Sequence, residues 1–404
     1  MGISHGQLAM QHQRSPRKLK VSILSPTLCK GGVDRAYLLG QVLQKLNFDV
    51  IIYGFLFGGK IYPLPPANMP VDSVPGGTYP QLFARAGQLL HKIDGDIIYA
   101  VKPKPTSFGI ALLKKLGTGR PVILDIDDWE LSWHGGDEWE YRPGLKQLAR
   151  DILKKDGALR DASHPVYLKW MEKLVSRADA VTADTKFLLE RFGGTYLPNG
   201  KDTSLFDPAQ YDPDGSRAKY GLAGYRVLMF PGAPRPHKGL EDVLVALDML
   251  NQPDLRLVIV GGNPYDDYDD KLIERWGRWI VKLPEVPVER MPEIVAAAHV
   301  VVVPQRDTPT ARAQFPIKLT EGMAMSKPVL ATRVGDIPEI LGDTGYLAEP
   351  GCPEQLADRI ESIFQDFQSA KERGVKARER CIERYSAGAM SAIMSEVIAN
   401  LQLG

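Results

Sequence analysis

His299-Val300-Val301-Val302-Val303-Pro304, a loop, and then Pro316-Ile317-Lys318-Leu319-Thr320-Glu321-Gly322-Met323-Ala324-Met325-Ser326-Lys327-Pro328-Val329-Leu330-Ala331-Thr332 is the stretch whose reading decides the fold. His299–Val303 is a β-branched run of strand length. Ile317–Met325 repeats its apolar residues near helical spacing, and Pro328–Thr332 is a second short apolar run. Strand, helix and strand at this spacing make a parallel sheet covered on both faces. Upstream the same alternation gives a strand at Arg226–Phe230, a helix at Leu240–Leu250 and a strand at Leu255–Val260 ending in Gly261-Gly262. An earlier series runs through strands at Lys20–Ser25, Val50–Phe57, Asp96–Ala100, Pro121–Asp125 and Ala180–Ala183, with a helix at Val33–Leu46. It ends near Pro198-Asn199-Gly200. Residues 203–218, rich in Asp, Pro, Gly and Ser, read as a connector.

The expected architecture is therefore α/β, with two Rossmann-like domains and a cleft between them. Residues 1–18 read as a mobile tail, 19–207 as the first domain and 208–385 as the second. Residues 386–404 form a helical pattern with no strand after it.

Composition narrows the function. In 404 residues, 50 Lys and Arg oppose 49 Asp and Glu, for a net charge of +1, which argues against a dedicated nucleic-acid binder. No apolar run approaches the roughly 18 residues needed to span a bilayer. Residues 1–20 are polar and basic without an apolar core, so no secretory signal is expected. Three cysteines (Cys29, Cys352, Cys381) are too few and too scattered for a disulfide framework or zinc cluster. A cytoplasmic protein is expected.

Parallel sheets place ligand sites at the carboxyl ends of their strands. After Arg226–Phe230 comes Pro231-Gly232-Ala233-Pro234-Arg235-Pro236-His237-Lys238-Gly239. Arg235 and Lys238 put two cations beside a helix start near Gly239, which suits a phosphate group. The alternative is a solvated loop with ordinary surface charges. After His299–Val303, Pro316 fits a first helical turn, whose N–H groups would face the cleft. Glu321, one turn in, can accept hydrogen bonds from sugar or ribose hydroxyls. Alternatively it is a surface partner of Lys318 at i, i+3.

In this order the motifs resemble those of nucleotide-sugar glycosyltransferases with the GT-B fold, family four. Pro316–Thr332 resembles their donor-site signature, as do Val334–Ile340, His237-Lys238-Gly239, Val258–Gly262 and Pro198–Asp202 with Phe206 and Pro208. Gly31-Gly32-Val33-Asp34-Arg35 is similar to the family's N-terminal glycine loop. The resemblance implies that Lys238, aided by Arg235, neutralises the donor diphosphate and that Glu321 binds ribose. It implies donor contacts at Gly31, Gly32, Gly239, Gly262, Gln314, Phe315, Pro316, Ile317 and Lys318, with the donor base near Lys282–Pro287. It also implies that the helix near 386–404 returns to the first domain. Three positions depart from the pattern. The first glutamate of the Glu-x7-Glu motif falls on Ala313, the usual arginine falls on Ala233, and the His-Asp pair of the first domain is replaced by Asp127-Asp128.

Asp125-Ile126-Asp127 spells an Asp-x-Asp metal motif. Lying in the first unit, away from the donor-like motifs, Asp127 and Asp128 read instead as cleft residues serving the acceptor or sugar. His134, near Trp129, Trp133 and Trp139, is a candidate acceptor-side residue together with Trp133. The acidic run 265–270 lacks the pattern of a calcium loop and reads as solvated. Trp133–Lys155 combines aromatic and basic residues, suiting a carbohydrate acceptor or a lipid interface, or else core packing beside a solvated helix face.

The expected function is sugar transfer from a nucleotide diphosphate sugar to a glycan, lipid-linked or small-molecule acceptor, with retention, no metal and no cofactor. Peripheral membrane contact fits the basic aromatic surface. A sugar-nucleotide epimerase of the same fold and a non-catalytic sugar-nucleotide binder are the alternatives. An NAD-dependent enzyme is disfavoured, since no Gly-x-Gly-x-x-Gly follows a strand.

Overall fold

The computed structural model describes residues 18–29, 32–262 and 266–401. Among them two parallel sheets form. The first contains β1 (Lys20–Ser25), β2 (Asp49–Leu56), β3 (Val71–Pro75), β4 (Ile97–Val101), β5 (Val122–Ile126), β6 (Ala180–Ala183) and β7 (Thr195–Tyr196), in the order β3-β2-β1-β4-β5-β6-β7. The second contains β8 (Arg226–Phe230), β9 (Leu255–Val260), β10 (Ile280–Leu283), β11 (Val300–Val303), β12 (Val329–Thr332) and β13 (Tyr346–Ala348), in the order β10-β9-β8-β11-β12-β13. This is the two-domain α/β architecture of the GT-B fold.

Interior strands are buried on both faces. All five residues of β4 and of β5 are inaccessible to solvent, as are all four of β11 and β12. Continuous apolar runs are what a doubly covered parallel strand requires. Each fully buried Val, Leu or Ile contributes about 1.5–3 kcal/mol to that packing. In the first sheet, Ile23 of β1 pairs with Ile52 of β2 and with Tyr99 of β4. In each sheet the chain works outward on one side and then crosses to the other, between β1 and β4 and between β8 and β11. Such reversals open a crevice at the strands' carboxyl ends, where ligands bind.

The segment read as a connector holds structure of its own. Pro213–Lys219 is a helix capped by Asp212, whose carboxylate accepts from the N–H groups of Asp214 and Gly215. Phe206 is buried in the core of the second domain with Leu222, Val227 and Met229. At the other end of the chain, the helix Ala387–Ala399 lays Met390, Met394, Val397 and Ile398 into the first domain's core beside Val21, Ile23 and Val42. The three cysteines are unbridged. No helix among the described residues is long and apolar enough to cross a membrane.

Candidate active site

Loops from both crossover points meet in one cleft. From the second domain come the segment after β8, with Arg235, His237 and Lys238, and the segment after β11, with Gln314. The expected long loop Pro304–Phe315 contains a short helix, Pro309–Arg312, capped by Thr308. Gly239 has φ +69°, and a Cβ there would sit 1.9 Å from the Pro304 carbonyl oxygen. Only glycine lets the two loops approach so closely.

Lys238 is half-buried, unlike a solvated surface lysine, and its Nζ donates to Gln314 Oε1 at 2.9 Å. Desolvation, with Lys318 and Arg235 nearby, lowers its pKa to about 7, although Asp128 opposes the shift. His237 is pushed to about 4 by burial and by Lys238 and Arg235. Lys318 is lowered by burial above all. Its ammonium lies 5.8 Å from the Phe230 ring centroid, over Gly232, where a Cβ would meet the lysine Cε at 2.3 Å. Burial is the main cause in all three, and neighbouring cations add to it at Lys238 and His237; such a grouping suits an anion.

The first domain supplies the opposite charge. Lys102, at the end of β4, has φ +65° and donates to Glu130 Oε1 at 2.8 Å. The same ammonium stands 3.7 Å from Asp127 and 3.9 Å from Asp128. Burial raises both aspartates' pKa values, against the pull of Lys102. Glu130, held by Lys102 and Lys104, falls to about 2. Asp127 Oδ1, Asp128 Oδ1 and His237 Nε2 are buried without a hydrogen-bond partner. Buried polar atoms of this kind call for a hydrogen-bonding partner such as a hydroxyl, which can donate or accept.

Gln314 ties the two walls together: it accepts from Lys238 and its Nε2 lies 3.4 Å from Asp128 Oδ2. Trp133 reaches across the same gap. Its indole N–H donates to Asp128 at 3.1 Å, and its ring lies 5.5 Å from His237 and 5.5 Å from the Arg235 guanidinium. Thr310 and Ser132 add a hydrogen bond at 3.1 Å. Thus Lys238, Arg235, Gln314, Lys318, Asp127, Asp128 and Trp133 come together.

Other expected residues have different surroundings. Asp125 is fully buried and takes two hydrogen bonds from Arg35, at 2.8 and 2.9 Å, and one from Thr182 at 2.7 Å. The Asp125 carboxylate is therefore taken up inside the first domain by Arg35 and Thr182. No cluster of potential metal ligands occurs among the described residues. Glu321 is buried and pairs with Lys201 at 2.9 Å, not with Lys318 on the surface. Pro316 precedes the helix Ile317–Ala324 as its cap, and the N–H groups of Ile317 and Leu319 already bond the carbonyls of Phe315 and Pro316. The Phe315 side chain packs in the second core, while Ile317 is exposed. Gly262 lies beside the Lys282–Asp269 ion pair. Gly32 has no room for a side chain: a Cβ would meet Thr27 Cγ2 at 2.2 Å. Gly31 lies outside the described residues. His134 is exposed at the end of a short 3-10 turn. Of the acidic run, Tyr265 lies outside the described residues; Tyr268 begins a helix in which Asp269 is buried against Lys282.

Sequence reasoning passed over Lys102, Lys104 and Glu130, and gave Arg35 and Lys201 no role of their own. Lys102-Pro103-Lys104-Pro105 directly follows an apolar run, so an inspection of strand ends in the first half would have found it.

Residues 225–366 match the family described as "Glycosyl transferases group 1". Among curated proteins, the chain is 29% identical over 248 residues to the alpha-maltose-1-phosphate synthase of Mycolicibacterium smegmatis, covering 54% of this chain and 62% of that protein. It is 27% identical over 257 residues to the GDP-mannose-dependent alpha-(1-6)-phosphatidylinositol monomannoside mannosyltransferase of the same organism, covering 58% and 66%. These matches span less than two thirds of the relatives' own lengths. Among solved structures, Anabaena HepE in complex with UDP and glucose superposes with a TM-score of 0.73 at 19% identity, covering 95% of this chain and 100% of that one. Sucrose-phosphate synthase from Thermosynechococcus elongatus superposes with a TM-score of 0.68 at 17% identity, covering 95% and 98%.

Proposed function

From a chain that folds as a GT-B glycosyltransferase and carries a group 1 glycosyl transferase domain at residues 225–366, we propose transfer of a sugar from a nucleoside diphosphate sugar to a hydroxyl acceptor. The observation that carries this reading is the pairing of unlike walls across one cleft: Lys238 and Asp128 are bridged by Gln314. The second domain binds the donor, with Lys238, Arg235 and Lys318 facing its diphosphate. The first binds the acceptor, with Asp127 and Asp128 receiving hydroxyl groups and Trp133 stacking on the sugar.

In this mechanism the bond between the anomeric carbon and the β-phosphate oxygen breaks while the acceptor oxygen bonds the same carbon. The acceptor proton passes to a phosphate oxygen of the leaving group, on the same face, so configuration is retained. The leaving diphosphate gains charge, and fixed cations in a partly dehydrated cleft stabilise that gain. Three side-chain cations supply this stabilisation without a metal, and Asp125 is already committed to Arg35. No cofactor takes part.

The test is incubation of the purified protein with UDP- and GDP-sugars and a panel of glycan, inositol and lipid-linked acceptors, following free nucleoside diphosphate and sugar-bearing product. Transfer with retained anomeric configuration supports the reading. Isomerised free donor would favour an epimerase, and saturable binding without turnover a non-catalytic sugar-nucleotide binder.

A further inference from the structure

The helix Leu145–Leu153 is inside out. Its one buried residue is an acid, Asp151, which receives hydrogen bonds from Tyr141 at 2.7 Å and Gln147 at 2.8 Å. Its apolar residues face solvent: Leu145 is 89% exposed and Leu153 75%. A surface helix of a water-soluble fold does the reverse, turning its apolar stripe to the core. Alongside it opens a mostly apolar groove of about 1330 Å³. Phe83, Leu113, Leu116, Ile152, Leu153 and Trp170 line it, all of them exposed, with Leu116 at 84%. So much contiguous apolar surface marks an interaction site.

Charge says what covers it. Residues 142–177 carry nine Lys and Arg against four Asp and Glu, in a chain whose net charge is only +1. Lys146, Arg150, Lys154 and Lys155 flank the exposed leucines and are themselves exposed, and Lys115, Arg160 and Arg177 border the groove. A second copy would present the same positive face and be repelled. An anionic surface with an apolar interior complements both features at once. Leucines inserted below a ring of lysines, with a tryptophan at the rim, are the pattern by which proteins lie on membranes.

We propose that this face of the first domain docks on an anionic phospholipid bilayer. The helix 145–153 and the leucines of the groove enter the acyl boundary, and the lysines meet the headgroups. Pro105 and Thr106, which also line the groove, open the short π-helix Pro105–Gly109 that follows Lys102 of the cleft, so docking sets the acceptor side of the cleft next to the lipid surface. The inference stands on exposure and charge, independently of the transfer chemistry.

The test is co-sedimentation of the full chain with phosphatidylcholine vesicles, with and without phosphatidylglycerol, at low and high salt. Partitioning should be about tenfold stronger on the anionic vesicles and weaken with salt. Two separate variants, Leu116→Ser/Leu145→Ser/Leu153→Ser and Lys154→Glu/Lys155→Glu, should each lose about tenfold while melting at the wild-type temperature, since all five side chains are exposed. Absence of binding, equal binding to neutral vesicles, or binding unchanged in both variants would overturn the proposal. So would a concentration-dependent dimer that the same variants abolish.

Discussion

Lys201 and Glu321, 120 residues apart in the chain, meet as a largely buried ion pair with Nζ 2.9 Å from Oε1. The pair joins the end of the first α/β series to the helix that follows the cleft loop, and Lys201 also lies 4.6 Å from the Phe206 ring centroid. Removing one partner strands a buried charge. Glu321→Ala should therefore lower unfolding free energy by about 3–5 kcal/mol, whereas replacing both members with apolar residues should recover much of that loss. Denaturant titration measures both. A Glu321→Ala protein within about 1 kcal/mol of wild type would show that the pair is already solvated.

Lys238→Ala should reduce transfer by roughly 10²–10³ in kcat, the usual cost of deleting one preorganised electrostatic stabiliser. Folding should survive, because the deletion relieves repulsion from Lys318 and Arg235 and breaks one hydrogen bond, to Gln314. Arg235→Ala should lose less, since its guanidinium rests on Trp133. The double variant should lose less than the two single losses combined, if both cations clamp one diphosphate. Near-normal turnover of folded Lys238→Ala at saturating donor would exclude the clamp.

Nucleoside diphosphate binding should weaken as pH rises above about 7. Lys238 titrates near there in the empty cleft, and a bound diphosphate raises its pKa. Between the free and bound values, binding takes up a proton, so affinity falls with pH by up to about tenfold per unit. Below the free value the lysine is already charged and its contribution is constant. Calorimetric titration with UDP and GDP across pH 6.5–9 checks the slope, which should flatten in Lys238→Met.

Restoring the glutamate that the resemblance expects at position 313 should do harm. Ala313 is fully buried in the same apolar cluster as Trp129 and Leu131 of the first domain. A carboxylate there would be larger than its site and desolvated, which costs several kcal/mol unless the domains part. Ala313→Glu should lower the melting temperature and transfer alike. Faster transfer with unchanged stability would mean that the cleft opens at this point in solution.

Chelator treatment should leave transfer intact, because Arg35 and Thr182 occupy the Asp125 carboxylate that an Asp-x-Asp metal site would need. Activity lost to chelator and restored by magnesium or manganese would reverse that assignment.

The nine strands read from the sequence are the interior strands of the two sheets, and the four that were missed, β3, β7, β10 and β13, are their edges. The division is physical. An interior parallel strand is covered on both faces, so its residues form an unbroken apolar run that stands out in any sequence. An edge strand such as Val71–Pro75 buries only part of itself and keeps polar residues. The glycines and cations that follow the second domain's strands were likewise legible, because they lie close together in the chain. Pairings across the gap were not. Lys102 beside Asp127 and Asp128, Gln314 between Lys238 and Asp128, and Lys201 against Glu321 each depend on how two separately folded sheets are brought face to face. The sequence by itself determined two parallel α/β domains and the cations of the second. Only the tertiary structure decided which charges neutralise one another and which remain for a ligand, because an ion pair's partner is chosen by distance in space, and those distances are set by packing far from the charges themselves.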